Sequence, residues 1–290
     1  ALISAEDEVE ARNLAQELNQ RNLNRQQITE EIIKQMEAQI DKDNLPPLII
    51  GVAQDGQSWN EGIVGLIAGK ICDKYHRPTL VVARIIEEEE RNQADTGLKA
   101  AQLSFKGSGR SIEGFNLIAA IEECSEFLDK YGGHPMACGF SIENVENLNG
   151  FRDKLLVIAK KKLTPEILVP KLSLDAALSA REITLSLADS LTKLAPFGQN
   201  NPQPKFTSAN LRVDDIVWMG KERQHIKLRL AAANSQDIFS VGAIAFNAPD
   251  TFKDLQLGDI IDLAYYLEIN EFNGRRELQL KIIDWHQSTD

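Results

Sequence analysis

Two glycine-rich segments carry the side chains best suited to phosphate chemistry. In Gly132-Gly133-His134-Pro135, the glycines allow peptide N–H groups to approach an anion, and the imidazole can hydrogen-bond a phosphate oxygen or transfer a proton. Gly107-Ser108-Gly109-Arg110-Ser111 offers hydroxyls and a guanidinium, which can hold phosphate through two parallel hydrogen bonds. Ordinary surface turns also explain both segments, so the spacing alone leaves the two interpretations open.

A third candidate is a group of basic and aromatic residues near the carboxy terminus. Basic side chains interleaved with aromatic ones hold single nucleic-acid strands in small β-barrels. Acidic residues are mixed among them, and a solvated sheet face is therefore the alternative interpretation. The group comprises Lys221, Arg223, Lys227, Arg229, Arg275 and Arg276, with Trp218, Phe272 and Trp285 available to stack on bases.

The sequence lacks the residue patterns that phosphodiester hydrolysis usually needs. The histidines are His76, His134, His225 and His286, with no paired Asp-His motif, and nothing resembles a nucleophile elbow. Three widely spaced cysteines with no CxxC pair indicate neither a disulfide framework nor a zinc site. We therefore predict no metal ligands, no cofactor and no hydrolysis for this chain alone.

Charge and hydropathy bear on partners and location. The net charge of −11 argues mildly against nucleic acid, although a local basic groove is compatible with it. No apolar run approaches the roughly 20 residues that span a bilayer, and no signal peptide is evident. We expect a cytoplasmic protein with no membrane partner. Because the chain begins with Ala1 and leads directly into a helix, we also expect a fragment of something longer.

Hydrophobic periodicity divides the chain into three predicted parts, and the fold class is α/β. Residues 1–44 form one long amphipathic helix, since apolar side chains recur every four residues from Ile28 to Ile40. Residues 45–165 alternate short apolar runs with amphipathic helices, as α/β domains do. Residues 166–290 are rich in short alternating strands, which predicts a closed β-barrel such as an OB-fold.

Local patterns add expectations about the surroundings of the candidate residues. Asn60 is expected to cap a helix that ends near His76, and a second helix is expected from Phe115 to Tyr131. The Gly107–Ser111 segment would then lie at a helix entrance, which favours anions. Two further expectations are a strand over Leu168–Leu174 and a type I′ hairpin turn at Asn273-Gly274.

The motifs together resemble the RecJ family in order and spacing over nearly the whole chain. Each motif is weak alone, and six in sequence are specific. They are Arg21–Gln27; Ser58–Gly65 with Tyr75–Pro78; Gly107–Ile112 with Gly114-Phe115; Gly132–His134; Leu194–Gly198 with Asn201–Pro204; and Asn270–Gly274. One departure is Asn60, where relatives commonly have a histidine.

The resemblance implies a DHH phosphoesterase in which a long connecting helix, a DHH-associated α/β domain with a mixed sheet and an OB-fold follow the metal-binding DHH domain. The ligands of Mn²⁺ or Mg²⁺ would then precede Ala1. By the same resemblance, His134 would be a catalytic residue at the scissile phosphate, flanked by Gly132 and Gly133. The 5′-phosphate would be held by Ser108 and Arg110, with Arg25 in addition. From the basic and aromatic pattern of the barrel, we expect the DNA strand to be held by Lys227, Arg229, Arg275 and Arg276.

The predicted function is therefore part of a 5′→3′ single-stranded-DNA exonuclease for recombination and repair. Its partners would be single-stranded DNA and a single-strand-binding protein. One alternative is an enzyme of the same superfamily for short oligonucleotides or cyclic dinucleotides, which the barrel extension argues against. The other is a non-catalytic adaptor with a degenerate DHH scaffold that binds DNA or protein.

Overall fold

The computed structural model describes residues 2–5, 7–57, 59–87, 102–233, 239–272 and 274–288. It divides into two compact units, Ala1–Pro170 and Lys171–Asp290. No helix in these described ranges has both the length and the apolar composition that a membrane crossing requires. The three-part division at residues 44/45 and 165/166 stays a prediction.

The amino-terminal unit begins with a 30-residue helix, α1 (Glu8–Glu37). The Asp7 carboxylate caps it by accepting a 2.8 Å hydrogen bond from the N–H of Glu10. The predicted four-residue stripe is confirmed in the second half of the helix, where Ile32 and Met36 are buried. These two side chains attach α1 to the rest of the unit.

A mixed five-stranded sheet with helices on both faces forms the body of this unit. Its elements are β1 (Ile49–Val52), α2 (Val64–Tyr75), β2 (Thr79–Glu87), β3 (Gln102–Arg110), α3 (Leu117–Glu122), β4 (Lys130–His134), β5 (Ala137–Ile142), α4 (Val145–Lys162) and α5 (Pro165–Leu168). The strand order is β1-β2-β3-β5-β4, and only the β1–β2 pair is parallel.

The two faces of the sheet contribute to different hydrophobic clusters. On β2, Leu80 and Val82 pack with residues of α3 and α4, whereas Val81 and Ala83 pack with α2 and the end of α1. This alternation is what a strand buried on both faces requires, because successive side chains point to opposite faces. It also defines the face on which each β3 side chain lies.

The helix predicted from Phe115 to Tyr131 is much shorter in the structure. Helix α3 ends at Glu122, a 3₁₀ turn covers Ser125–Phe127, and β4 begins at Lys130. The apolar spacing that suggested a long helix is satisfied by the short helix and the turn. Antiparallel pairing with β5 then draws the following residues into a strand.

Three smaller expectations have mixed outcomes. Helix α2 begins at Val64 without a side-chain cap, because the Asn60 side chain accepts instead from the N–H of Gly62 in the preceding turn. His76 does end the helix, in a left-handed conformation with φ 47°. The strand predicted over Leu168–Leu174 is absent from this described segment, where α5 is followed by irregular chain.

The carboxy-terminal unit is a closed five-stranded barrel. Its elements are β6 (Ala176–Ala177), α6 (Leu185–Thr192), β7 (Phe206–Met219), β8 (His225–Ala232), β9 (Ser240–Ala245), β10 (Ile260–Phe272) and β11 (Arg275–Gln287). Strands run around the barrel in the order β7-β8-β9-β11-β10, and β10 pairs with β7 to close it. Only the β9–β11 pair within the barrel is parallel, and this is the connectivity of an OB-fold.

Strand β8 shows the alternation that was expected of the strands in residues 166–290. Ile226, Leu228 and Leu230 point into the barrel core, whereas Lys227 and Arg229 are exposed. A hairpin joins β10 to β11, since Phe272 pairs with Arg275 across a two-residue turn. Asn273 and the side chain of Phe272 lie outside the described residues.

Candidate phosphate site and strand-binding surface

The residues of the two glycine-rich segments meet on one face of the amino-terminal sheet. Both segments are strands, not loops, and β5 pairs with each of them. Ala137 of β5 is in register with Arg110 on one side and His134 on the other. One strand therefore separates these two residues, which places their Cα atoms about 10 Å apart.

The same register extends along the sheet in three successive rows. Two residues further along β5, Gly139 is flanked by Ser108 and Gly132; two further, Ser141 is flanked by Lys106 and Lys130. Side chains two residues apart on a strand share a face and lie roughly 6.6–6.8 Å from each other. The site is thus a shallow basic surface with glycine at its centre, where backbone is accessible.

The Arg110 and Ser108 side chains orient each other. Arg110 is half-buried, and its Nη1 donates to the carbonyl of Gly109 at 2.8 Å and to Ser108 Oγ at 3.3 Å. Ser108 Oγ donates in turn to the carbonyl of Cys138 on β5 at 3.2 Å. A guanidinium fixed in this way loses little further freedom when it binds an anion, which favours binding.

A helix amino terminus faces this pair, but it is not the one expected from the sequence. A Cβ added to Gly65, in the first turn of α2, would lie 3.1 Å from Ser108 Oγ and 3.2 Å from Arg110 Nη2. The start of α2 has no side-chain cap, and the first N–H groups of a helix lack partners within it. The positive amino-terminal end of α2 and the Arg110 guanidinium therefore both favour the binding of an anion at this position.

His134 ends the exposed edge strand and precedes a firmly anchored turn. The carbonyls of Pro135 and Met136 accept hydrogen bonds from the N–H groups of Leu117 and Ser111, at 3.0 and 2.9 Å. The turn is therefore held against the segment that follows Arg110. The His134 side chain remains exposed and free to meet a ligand on the open side of the sheet.

Lys106 and Lys130 lie on the same surface, although no sequence motif indicated them. They border a cavity of about 520 Å³ whose lining includes Ser108, Gly139 and Ser141. Lys106 pairs with Glu61 at 2.7 Å, and both side chains are about half exposed. The sequence pattern that could have indicated Lys106 is the alternation along β3, because Lys106, Ser108 and Arg110 are two residues apart and share one face of the strand.

Cys138, which precedes Gly139 of the site on β5, is buried and has a raised thiol pKa. Burial raises the pKa of the Cys138 thiol to about 11, and it packs on the opposite face of β5. Among the described residues there is also no group of three His, Cys, Asp or Glu side chains that could hold a metal ion. The guanidinium, hydroxyl and imidazole groups of the site are of the kinds that bind a phosphate.

Arg25 is not joined to this surface. It lies on the exposed part of α1, where its guanidinium donates to the Asn22 side chain at 2.7 Å. Its own carbonyl accepts from Thr29, one turn further along the helix. The structure thus brings together Ser108, Arg110, Gly132, Gly133 and His134, and leaves Arg25 on a helix surface.

The predicted basic residues of the barrel separate into two places. Lys227 and Arg229 occupy consecutive outward positions on β8, and Arg229 Nη1 donates to Ser240 at 3.3 Å. Arg275 is exposed at the β10–β11 hairpin. Arg276 is engaged by two carboxylates, Asp189 at 2.7 Å and Glu271 at 2.8 Å. Hydrogen bonding to Asp189 and Glu271 raises the pKa of Arg276 above its ordinary value. The charge of this guanidinium is therefore already paired with carboxylates of the protein.

Trp218 and Trp285 pack partly against the barrel core, and base stacking on them stays a prediction. Trp218 and Trp285 are half-buried against the core cluster, and the Trp285 ring lies 5.7 Å from that of Phe252. Phe246 is the exposed aromatic of the described part of this unit, with 57% of its surface accessible. It follows β9, and no sequence pattern distinguished it.

Comparison with known proteins assigns both units to families. The DHHA1 domain family matches residues 46–161, and the RecJ OB domain family matches residues 174–284. The chain is 32% identical over 283 residues to the single-stranded-DNA-specific exonuclease RecJ of Bacillus subtilis (strain 168), and 30% identical over 295 residues to that of Escherichia coli (strain K12). Each alignment covers 98% of this chain, but 33% and 46% of the relative.

Solved structures agree with the fold. A crystal structure of RecJ in complex with Mn²⁺ from Thermus thermophilus matches with a TM-score of 0.72 and 23% identity, and covers 99% of this chain and 38% of that one. A corresponding Mg²⁺ complex from the same organism also gives 0.72.

The chain therefore consists of a DHHA1-type α/β unit followed by an OB barrel. It is homologous to RecJ exonucleases over almost its whole length and corresponds to a carboxy-terminal portion of that family. No DHH domain is matched within it. The chain spans about a third to a half of the length of the curated relatives it matches.

Proposed function

We propose that this chain grips the 5′-terminal phosphate of a single DNA strand for a 5′→3′ exonuclease. The observation that carries the proposal is the shared register of Ser108, Arg110, Gly132 and His134 across β3, β5 and β4. Similarity to RecJ exonucleases supports the substrate class. The whole protein would be cytoplasmic and act in recombination and repair, with a single-strand-binding protein as a further partner.

In the proposed mechanism, the β3 side and the β4 side of the surface bind different phosphates of the strand. Arg110 and Ser108 bind the terminal phosphate together with the amino terminus of α2. His134 contacts the scissile phosphate and stabilises negative charge that develops on it. Glycine at position 132 leaves the sheet surface open, so that the DNA backbone can lie close to it.

The reaction itself belongs to the rest of the protein. Bound Mn²⁺ or Mg²⁺ would supply an activated water, and its ligands would lie in a DHH domain outside this sequence. This chain contributes positioning, which lowers the barrier because the strand end is held in one orientation. The barrel would hold the strand beyond the first nucleotides.

Binding of oligonucleotides to the purified chain tests the proposal. We expect a 5′-phosphorylated oligo(dT) to bind more tightly than the 5′-hydroxyl oligomer by roughly 10- to 150-fold, since hydrogen bonds to a charged group contribute about 1.5–3 kcal/mol. Arg110→Ala should abolish this difference. Arg152→Ala, an exposed arginine on α4 behind the opposite face of the sheet, is the matched control.

Two outcomes would contradict the proposal. One is equal affinity of the wild-type chain for both oligonucleotides. The other is a preference for duplex over single-stranded DNA, which would indicate a binding adaptor of another kind. Robust cleavage by the chain alone with Mn²⁺ would separately refute the assignment of the metal ligands to a missing domain.

A further inference from the structure

The outer surface of β8 and β9 combines charge and aromatic character in a way that the phosphate site does not explain. The outward positions of β8 are His225, Lys227 and Arg229, which lie roughly 6.6–6.8 Å apart along the strand. The neighbouring β9 presents Gly242 opposite Arg229, and Phe246 follows its end beside His225. Lys227 and Arg229 thus make the β8 positions basic, the outward positions of β9 are uncharged, and the exposed Asp215 of β7 lies opposite Arg229 on the other side of β8.

Phe246 is held in place by its surroundings. Its ring meets the His225 ring in a T-shaped contact, with 5.4 Å between centroids and an interplanar angle of 69°. The next two residues are tied to the start of β8, because Asn247 N–H donates to His225 Nδ1 at 3.0 Å and Ala248 N–H donates to the carbonyl of Gln224 at 2.8 Å. The phenyl group is therefore exposed and still ordered.

The space beside the cations is open. A Cβ added to Gly242 would meet no atom within 4 Å, so among the described residues the surface at this glycine, opposite Arg229, is open. Lys221 and Arg223, in the turn before β8, add further exposed positive charge near the same end of the strand. An extended polyanion could follow the β8 cations while its planar groups turn toward β9.

We infer that Phe246, supported by His225, is a stacking platform for an unpaired nucleobase of a DNA strand whose phosphates lie along Lys227 and Arg229. This inference rests on the proposed function and adds a residue-level site to it. An exposed phenylalanine side chain is unfavourable in water. Stacking on a nucleobase would cover the ring, and it would do so for any DNA sequence because every base has a flat face. The fixed ring loses little entropy on binding.

Phe246→Ala tests the platform on two matched ligands. With 5′-hydroxyl oligo(dT), affinity should fall by roughly 5- to 150-fold, the range for loss of one stacked base. With an abasic sugar-phosphate strand of equal length, the substitution should have no effect, because no base is present. Equal weakening on both ligands would indicate a structural role and would overturn the inference.

Two further variants keep the test decisive if Phe246→Ala folds poorly. Phe246→Tyr should retain wild-type affinity. Oligo(dT) should quench the emission of Phe246→Trp more than that of the wild-type chain, which contains Trp59, Trp218 and Trp285, and the abasic strand should produce no such difference. Leu257 is 66% exposed and precedes Gly258, whose N–H donates to Val213. Val213 is six residues, roughly 20 Å, along β7 from Met219, the partner of His225. Leu257→Trp is therefore the control and should show no quenching beyond that of the wild-type chain.

The outcomes separate this inference from the proposed function. Quenching of Phe246→Trp no greater than that of the wild-type chain, in a variant that still binds oligo(dT), would overturn the platform alone. Loss of discrimination for the 5′-phosphate, with base-dependent quenching retained, would contradict the proposed function and leave the platform standing.

Discussion

Gly133→Ala should detach the edge strand that carries His134 without changing any functional group. Gly133 has φ +148°, a backbone conformation that residues with a side chain rarely adopt. An added Cβ would lie 2.2 Å from the carbonyl oxygen of Ala137 and 2.7 Å from the Cα of Cys138. Both are backbone atoms of β5, so no side-chain rotation can remove the overlap.

The magnitude follows from these two penalties. A residue forced into such a conformation costs on the order of 1–3 kcal/mol, before the overlap is counted. Strand β4 pairs only with β5 among the described strands, and all five of its residues are exposed. Separation of β4 from β5 is therefore the least costly way for the molecule to remove the overlap. We expect the melting temperature of the unit to fall by roughly 2–12 °C.

Amide hydrogen exchange on the purified chain measures the local effect. Residues 130–134 should lose protection in Gly133→Ala, whereas the β2–β3 pairing should keep it. Gly132→Ala is the matched control, since its Cβ would meet nothing within 4 Å, and its stability should change by less than about 0.5 kcal/mol. Wild-type protection of β4 in Gly133→Ala, or equal damage from Gly132→Ala, would refute the reasoning.

Three other predictions concern charge and ionisation. Lys130→Ala should lower the slope of log affinity against log salt for 5′-phosphorylated oligo(dT) by about 1, whereas Lys154→Ala on α4 should leave it unchanged; equal slopes for the two variants would exclude Lys130 from the site. Burial raises the pKa of Tyr265 to about 12, above its ordinary value of 10.0, so only the unfolded tyrosine ionises between these values. The barrel should therefore lose stability as pH rises from about 10 to 12, by on the order of 2 kcal/mol; urea unfolding at pH 8 and pH 11 checks this, and Tyr265→Phe should remove that part of the loss. Burial also raises the pKa of the Cys72, Cys124 and Cys138 thiols to about 11, so a thiol reagent at pH 8 should label them only after unfolding, and rapid labelling of the native chain would contradict their burial.

Elements whose pattern is local were predictable from the sequence. Helix α4 (Val145–Lys162) is an example, because its apolar face and its Asn144 cap both follow from residues that are close together in the chain. The buried stripe of α1 and the inward residues of β8 were found for the same reason. In each case a single period determines which side chains reach the core.

The phosphate site depends on register, which the sequence does not display. Arg110 and His134 are 24 residues apart and meet only because both align with Ala137. The expected helix entrance at Gly107–Ser111 and the alternative of a turn at Gly132–His134 both differ from the structure, in which these residues lie mainly in strands β3 and β4. Glycines are typical of turns, but here they allow close packing: a Cβ at Gly107 would lie 2.1 Å from the Phe140 ring.

The order in which the barrel strands pair has a consequence for synthesis of the protein. Strand β7 pairs with β10, which is synthesised about 50 residues later in the chain. The second edge of β9 is paired only once β11 has been synthesised. A nascent chain that ends before Arg275 therefore exposes apolar strand edges such as that of β9. Long-range pairing of this kind folds slowly, and incomplete chains aggregate through such edges. Release of β11 from the ribosome should be the step after which the nascent unit becomes resistant to aggregation.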